Sequence, residues 1–404
     1  MYINGAFHLS YCTNVHRAET WTELFSVLND HIPTIKDKIS KENPFGISLR
    51  LSQKASQELS EDNNLDIFKD WLLIHNLYVF SINGVVFGKM HENNIKDLVY
   101  APDWSSKDRL RYTRRLIKQL CAIMPENVTG SITTSPIGYR YWYSNEEEVN
   151  KCYIKSAKNL IKLVAELYNL ECDTGKYIHL DLKPESNSLL SNSTQVIDFF
   201  RAYLLPTGVE VLPQLIDRIS QDVEDIVLRY INICYNVSDF FMAFEEPSFT
   251  FKRFKHTKIK VGKIQLSSIL RLMMHENNKE QILNLFSKFN QDRFLHHVSE
   301  KIGETVITYP DLMDVVQRHS EIEELRAQFK IPVYIDKFYA LGSNQDQIVD
   351  VIRYLKVNNV CDQIEVETYT WELLPEELKT NLISSLAEEL IWVRYKMEEN
   401  STPD

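Results

Sequence analysis

Short apolar runs alternate with amphipathic helical stretches from one end of the chain to the other. FHLSYCTN (7–14) leads into a helix from about Glu19, in which Trp21, Leu24, Phe25 and Leu28 recur at spacings of three and four. GISLRLS (46–52) precedes a helix containing Leu65, Ile67, Phe68, Trp71 and Leu72, and LYVFSING (77–84) precedes a long loop and a helix from Lys107 to about Ile123. SITTSP (131–136) runs into a helix through Ile154, Ala157, Leu160, Ile161, Val164 and Leu167, and KYIHLDL (176–182) into one from Asn192 to Tyr203. YINICYN (230–236), KIKVGKIQLSS (258–268) and DQIEVETYT (362–370) each have helical sequence after them.

Strands that are apolar on both faces, alternating with helices, describe a parallel sheet covered on both sides. Eight such units predict an α/β fold of the (β/α)8 TIM-barrel type rather than an open doubly wound sheet. No GxGxxG or GxxxxGK[ST] follows any strand, which counts against dinucleotide-binding and P-loop folds. The stretch 292–340, with Phe329 to Ile335 as an extra strand, breaks the repeat and is expected to be an insertion before the last unit. The rest of 1–404 reads as one barrel domain.

Composition changes this picture little, but it removes some functions. At 44% hydrophobic and 25% charged residues, the chain is an ordinary globular one. The six cysteines form no CxxC pair and no zinc spacing, so they read as reduced thiols of a cytoplasmic protein. The N-terminus has no basic segment leading into an apolar run, and no eighteen apolar residues run together, so neither a signal peptide nor a membrane span is expected. A net charge of −11 argues against a nucleic-acid partner. The basic runs 107–118 and 252–263 read as solvated helix and strand-entry faces.

In a barrel the chemistry sits at the C-terminal ends of the strands. Those ends carry Asn14 and His16, Arg50, Asn83, Ser135, Lys183 and Glu185, Asn236 and Asp239, Gln265, and Glu365 and Glu367. The last two lie two residues apart, and therefore on one face of their strand. Arg50 has two readings, a clamp for an anionic group or a partner for Glu367. His91 and Lys96 lie on the loop after the third strand, where a phosphate or polyol would meet them. His8 and His179 read as core histidines, and His296 and His297 have no carboxylate at ligand spacing.

Several segments are more specific than the fold: HLSYCTNVHRAETW (8–21), FGISLRLS (45–52), YVFSINGVVFG with His91 and LVYAPDW (78–104), KVGKIQLSS (260–268) and EVETYTWELLPEEL (365–378). In these the chain resembles the EboE family, the metabolite traffic proteins, which are barrels similar to xylose isomerase and the sugar-phosphate isomerases and epimerases. The resemblance implies a divalent metal at the barrel mouth, held by carboxylates and an imidazole after strands five to eight. Such a metal polarises a carbonyl or hydroxyl while a carboxylate moves the proton.

This sequence departs from that pattern at the ligand positions. Where the family has Glu-Pro-Glu it has Lys183-Pro184-Glu185, and where the family has Tyr-Asp-x-Cys-His it has Tyr235-Asn236-Val237-Ser238-Asp239. The family's His-x-His appears as Gln328-Phe329-Lys330, and the matching residue of strand seven is Gln265. Only the last strand keeps its carboxylates unchanged, Glu365 and Glu367, so no metal or other cofactor is expected. Two functions stay open. In one, the barrel transfers a proton on a small polyhydroxylated or phosphorylated metabolite. Lys183 then supplies the positive charge, and Glu185, Asp239, Glu365 and Glu367 are the candidate catalytic groups. Asn14, Arg50, Asn83, His91, Lys96, Asn236 and Gln265 bind the substrate in that reading. In the other, the barrel binds a metabolite, or protein partners of the same pathway, without chemistry.

Overall fold

The computed structural model describes the chain except for residues 92–93, 218–221, 275, 291, 322–330, 337–344, 369–380 and 400–404. Eight parallel strands form the barrel: β1 (Phe7–Tyr11), β2 (Phe45–Arg50), β3 (Leu77–Gly84), β4 (Gly130–Thr134), β5 (Ile178–Leu182), β6 (Ile231–Asn236), β7 (Val261–Leu266) and β8 (Gln363–Val366). Each of the eight expected units contains one. Strands β2 to β7 pair in chain order, β8 lies between β7 and β1, and a two-residue strand at Tyr2–Ile3 pairs antiparallel on β1. The ring closes between β1 and β2 through a single parallel bridge, Cys12 to Ser48, and the Arg50 amide donates to Thr13 Oγ1 at 2.7 Å beside it. This is a nearly closed TIM barrel.

Helices follow the strands where the apolar spacing placed them. Lys107–Ile123 is helical, with Ser106 as its N-cap, and its apolar stripe (Leu110, Leu116, Ile117, Leu120) is buried. Trp21–Ile39 starts at a capping box in which Thr20 and Glu23 satisfy each other's backbone amides. Its buried face is Trp21, Leu24, Leu28, Ile32 and Ile35. The basic run 107–118 is not one solvated face, because Arg109 is fully buried and donates to the carbonyls of Pro102, Gly84 and Val85. It staples β3 to the helix, and so holds the loop at that strand's end.

The insertion expected over 292–340 begins earlier, at Ile269. Ile269–Met274, Val298–Ile302, Thr305–Tyr309 and Ile331–Asp336 form an antiparallel four-stranded sheet. Helices Lys279–Phe289 and Leu312–Glu321 accompany it. The unit enters after β7, ahead of that strand's own barrel helix Gln345–Asn358. Periodicity could not place its start, since Ile269–Met274 adjoins β7 in sequence and finds its partner only in Ile331–Asp336. Met274, Ile282, Phe286, Val298, Tyr309, Leu312 and Val315 make a small apolar cluster of its own. Contacts with the barrel loops hold it over the mouth. Lys96 donates to Asp311 at 2.7 Å and to the Phe294 carbonyl at 3.1 Å, and Asn187 Nδ2 donates to the Tyr309 carbonyl at 3.1 Å. Among the described residues no helix is long and apolar enough to cross a membrane.

Candidate active site at the barrel mouth

The inside of this barrel is polar. Small barrels are usually filled by layers of branched apolar side chains, whereas here Ser48, Ser81, Ser131, Asp181, Lys263 and Glu365 are all fully buried. Such groups persist only when each finds a partner. Lys263 donates to Glu365 Oε2 at 3.0 Å and to Ser81 Oγ at 2.7 Å, while Ser48 and Gln265 donate to the same carboxylate. Burial pushes the Lys263 ammonium down, but Glu365 opposes it, with help from Cys234 and Asp181, and leaves it raised to about 12. Nearby, Asp181 accepts from Ser131 Oγ at 2.7 Å and sits 2.7 Å from His179 Nδ1.

One layer higher, at the mouth, the central group is Glu367. Lys183 Nζ lies 3.1 and 3.0 Å from its two oxygens, and the two side chains are 3% and 2% exposed. Asn236 Nδ2 donates to Oε2 at 2.6 Å and Asn14 Nδ2 to Oε1 at 3.3 Å. The orientation of Asn236 is dictated by its own backbone. As N-cap of the helix Val237–Met242, its Oδ1 accepts from the Asp239 amide and from the hydroxyls of Ser238 and Ser267, both at 2.7 Å. That leaves only the NH2 to face Glu367 and, at 3.1 Å, Gln265 Oε1.

A small pocket opens above this cluster. Asn14, Arg50, Asn83, Lys183, Glu185 and Glu367 line it from the barrel, Tyr100 from the loop after β3, and Phe294, Leu295 and His297 from the insertion. Two buried polar atoms on its wall have no hydrogen-bond partner: the acceptor Asn14 Oδ1 and the donor Arg50 Nε. Leaving such atoms bare costs on the order of 1–3 kcal/mol each, which a ligand offering one hydroxyl and one oxygen would recover.

The residues singled out from sequence fall into two groups. Asn14, Arg50, Asn83, Lys183, Glu185 and Glu367 share the pocket, with Asn236 and Gln265 directly behind. The others are placed elsewhere. Glu365 lies one layer down with Lys263, and Asp239 is buried in the first turn of the helix after β6, off the pocket wall. Lys96 pins the insertion through Asp311. His91 lines a neighbouring surface cavity beside Arg17, Glu19 and Lys54, and its Nε2 is buried without a partner. Burial, reinforced by Arg50, Arg293 and Arg17, pushes its imidazole down to about 3, so it is neutral.

Arg50 does not pair with Glu367. It pairs with Glu19 at 3.3 Å and donates to the carbonyls of Ala18 and Gly88, and Glu19 in turn accepts from the amides of Met90 and His91. His8 and His179 are buried within strands as anticipated, with Tyr78 and Asp181 as partners. Burial holds the thiols of Cys12 and Cys234 well above their usual range, so neither is a nucleophile at neutral pH. Sequence reasoning missed His297, whose position depends on the long-range docking of the insertion. Gln328-Phe329-Lys330 and residues 369–378 lie outside the described residues.

The donor set does not fit the divalent metal that the resemblance implies. The two groups nearest Glu367, the Lys183 ammonium and the Asn236 NH2, present hydrogens where a metal needs lone pairs. Among the described residues, no three His, Cys, Asp or Glu side chains are grouped to hold a metal ion.

No family model matches this chain, and none of the curated proteins compared matches it. Among solved structures it is similar to the probable 3-DHS dehydratase AsbF, involved in petrobactin synthesis, from Bacillus anthracis, at 11% identity and a TM-score of 0.40, covering 97% of this chain and 100% of that one. It is also similar to the IolI protein with a zinc atom, at 11% identity and a TM-score of 0.48, over 97% and 100% of the two chains. A third is a xylose isomerase-like TIM barrel protein from Mycobacterium smegmatis in complex with magnesium, at 10% identity and a TM-score of 0.47, over 98% of each chain. The TM-scores all fall below one half and add nothing about chemistry. The barrel stands on its own strand order and register: eight parallel strands with a polar, ion-paired mouth.

Proposed function

We propose that this is an EboE-like barrel of metabolite production or traffic, resembling the sugar-phosphate isomerases and epimerases, that takes a small polyhydroxylated or phosphorylated metabolite at the mouth pocket. The observation that carries the reading is the Lys183–Glu367 pair, an ammonium held 3.0–3.1 Å from both carboxylate oxygens. The fixed positive charge of Lys183 stabilises negative charge on a ligand oxygen without a metal. The bare Asn14 Oδ1 receives a ligand hydroxyl, and Arg50 Nε donates to a ligand oxygen. Glu185, on the same wall, is the carboxylate placed to move a proton.

A second reading is non-catalytic binding, of the metabolite or of protein partners in its pathway. It draws on the bonding of Glu367, whose oxygens already accept from Lys183, Asn14 and Asn236 and so are occupied before any ligand arrives.

The experiment is a manganese titration of the parent and of Lys183→Glu/Asn236→Asp, read by calorimetry and by the unfolding midpoint. The double variant gathers oxygen ligands around Glu367 and is expected to bind one manganese and gain stability, whereas the parent shows neither. Stoichiometric manganese in the parent, lost on Glu367→Gln, overturns the metal-free reading. Xylitol and glucose 6-phosphate, titrated with and without Glu185→Gln, separate turnover from simple binding.

A further inference from the structure

The mouth pocket is largely shut off from solvent. Its six polar barrel residues, Asn14, Arg50, Asn83, Lys183, Glu185 and Glu367, are each at most 8% exposed. A ligand that hydrogen-bonds to them enters or leaves only when part of the wall moves aside. The barrel side of that wall is fixed. Arg109 staples the end of β3, and the Arg50–Glu19 pair ties down Gly88, Met90 and His91 through their backbones. The rest of the wall includes Phe294, Leu295 and His297, all from the insertion.

The insertion is a body of its own. It has a separate apolar cluster, and among the described residues only its Ile269 joins the core of the barrel. It leaves the barrel at the end of β7 and packs its strand Ile331–Asp336 against the helix Val237–Met242. From there it crosses the mouth to the loop after β3, four strands round the ring. On that far side polar contacts hold it. The amides of Asn94 and Lys96 donate to the carbonyls of Asp292 and Arg293 at 3.1 and 2.9 Å, and the Lys96 ammonium meets Asp311 at 2.7 Å. Asn94 and Lys96 both have left-handed backbone, with φ of 59° and 44°. A lysine disfavours that conformation, so contacts across the seam keep Lys96 in it, and parting them lets the loop relax.

We propose that the insertion is a lid over the mouth pocket, hinged beside β7 and latched to the loop after β3 by Lys96 and Asp311. Closed, it brings Phe294, Leu295 and His297 against the ligand. Open, it admits the ligand to Lys183 and Glu367. The lid takes its role from the mouth as binding site. Its motion is measured without ligand or metal, so failure of one reading is distinguishable from failure of the other.

The test uses the full chain carrying Val85→Cys, a position 7% exposed on the pocket wall, with the exposed Cys172 as internal standard. Iodoacetamide labelling, followed peptide by peptide by mass spectrometry, is expected to be at least about tenfold slower at position 85 than at Cys172. Asp311→Asn keeps an oxygen for the amides of His296 and Leu312 and loses the charge that holds Lys96. It is expected to speed labelling at position 85 by about threefold, with Cys172 unchanged. In deuterium exchange the amides of Asn94 and Lys96 should speed by a similar factor, while the ladder between Val298–Ile302 and Thr305–Tyr309 keeps its protection. The proposal is overturned if position 85 labels as fast as Cys172 with the latch intact, or if Asp311→Asn changes neither rate. It is equally overturned if the ladder amides speed up together with the seam, because the insertion then unfolds instead of lifting.

Discussion

Replacing Lys183 by Met strands the Glu367 carboxylate. Its side chain is only 2% exposed, and the substitution removes ammonium contacts at 3.0 and 3.1 Å while leaving the amides of Asn236 at 2.6 Å and Asn14 at 3.3 Å. A hydrogen bond to a charged group is worth about 1.5–3 kcal/mol, and breaking a buried pair from one side costs about 3–5 kcal/mol, because the remaining charge has lost its compensation. Two surviving amide donors place the expected loss near the lower end, about 3 kcal/mol. This is a large part of the roughly 5–15 kcal/mol that holds a domain folded. Neutralising the stranded group should undo most of it, so Lys183→Met/Glu367→Gln is expected to be more stable than Lys183→Met alone, with a coupling of at least about 2 kcal/mol. Urea unfolding of the parent, both single variants and the double variant at about pH 7.5 measures that coupling directly. A loss below about 1 kcal/mol for Lys183→Met, or no recovery in the double variant, would refute the pair and with it the arrangement of the mouth.

Two further outcomes follow from the contacts. Arg50→Ala removes the brace on Glu19, so the amides of Met90 and His91, which donate to Glu19 at 2.7 Å, are expected to exchange with deuterium at least about tenfold faster; unchanged protection would show that the loop is held by something else. Burial, aided by His31 and His91, holds His16 down at about 3 against an ordinary 6.5. The folded state therefore favours the neutral ring, and the stability this provides is present above pH 6.5 and lost as pH falls towards 3. By about pH 5 the loss is on the order of 2 kcal/mol, and His16→Gln should flatten the pH dependence of the urea midpoint by that amount. An equally steep profile in the variant would place the acid sensitivity elsewhere.

Sequence by itself determined the barrel. Alternation of apolar strands with amphipathic helices is a local property, written in spacings of two and of three to four residues, and all eight strands lie in the segments that carry it. It also placed Lys183, Asn236 and Glu367 at one end of the fold, because the C-terminal ends of parallel strands converge whatever their side chains are. Tertiary structure alone decided which of those residues meet. Glu365 and Glu367 share a face and differ only in depth, so one pairs with Lys263 inside the barrel and the other with Lys183 at the mouth. Arg50 was free by sequence to choose a carboxylate, and the fold of the loop after β1 gave it Glu19. The start of the insertion, the arrival of His297 at the mouth and the turn of Lys263 out of the basic run 252–263 to meet Glu365 all depend on contacts between residues far apart in the chain. Local periodicity carries no record of such contacts, since their free energy is realised only when the elements pack.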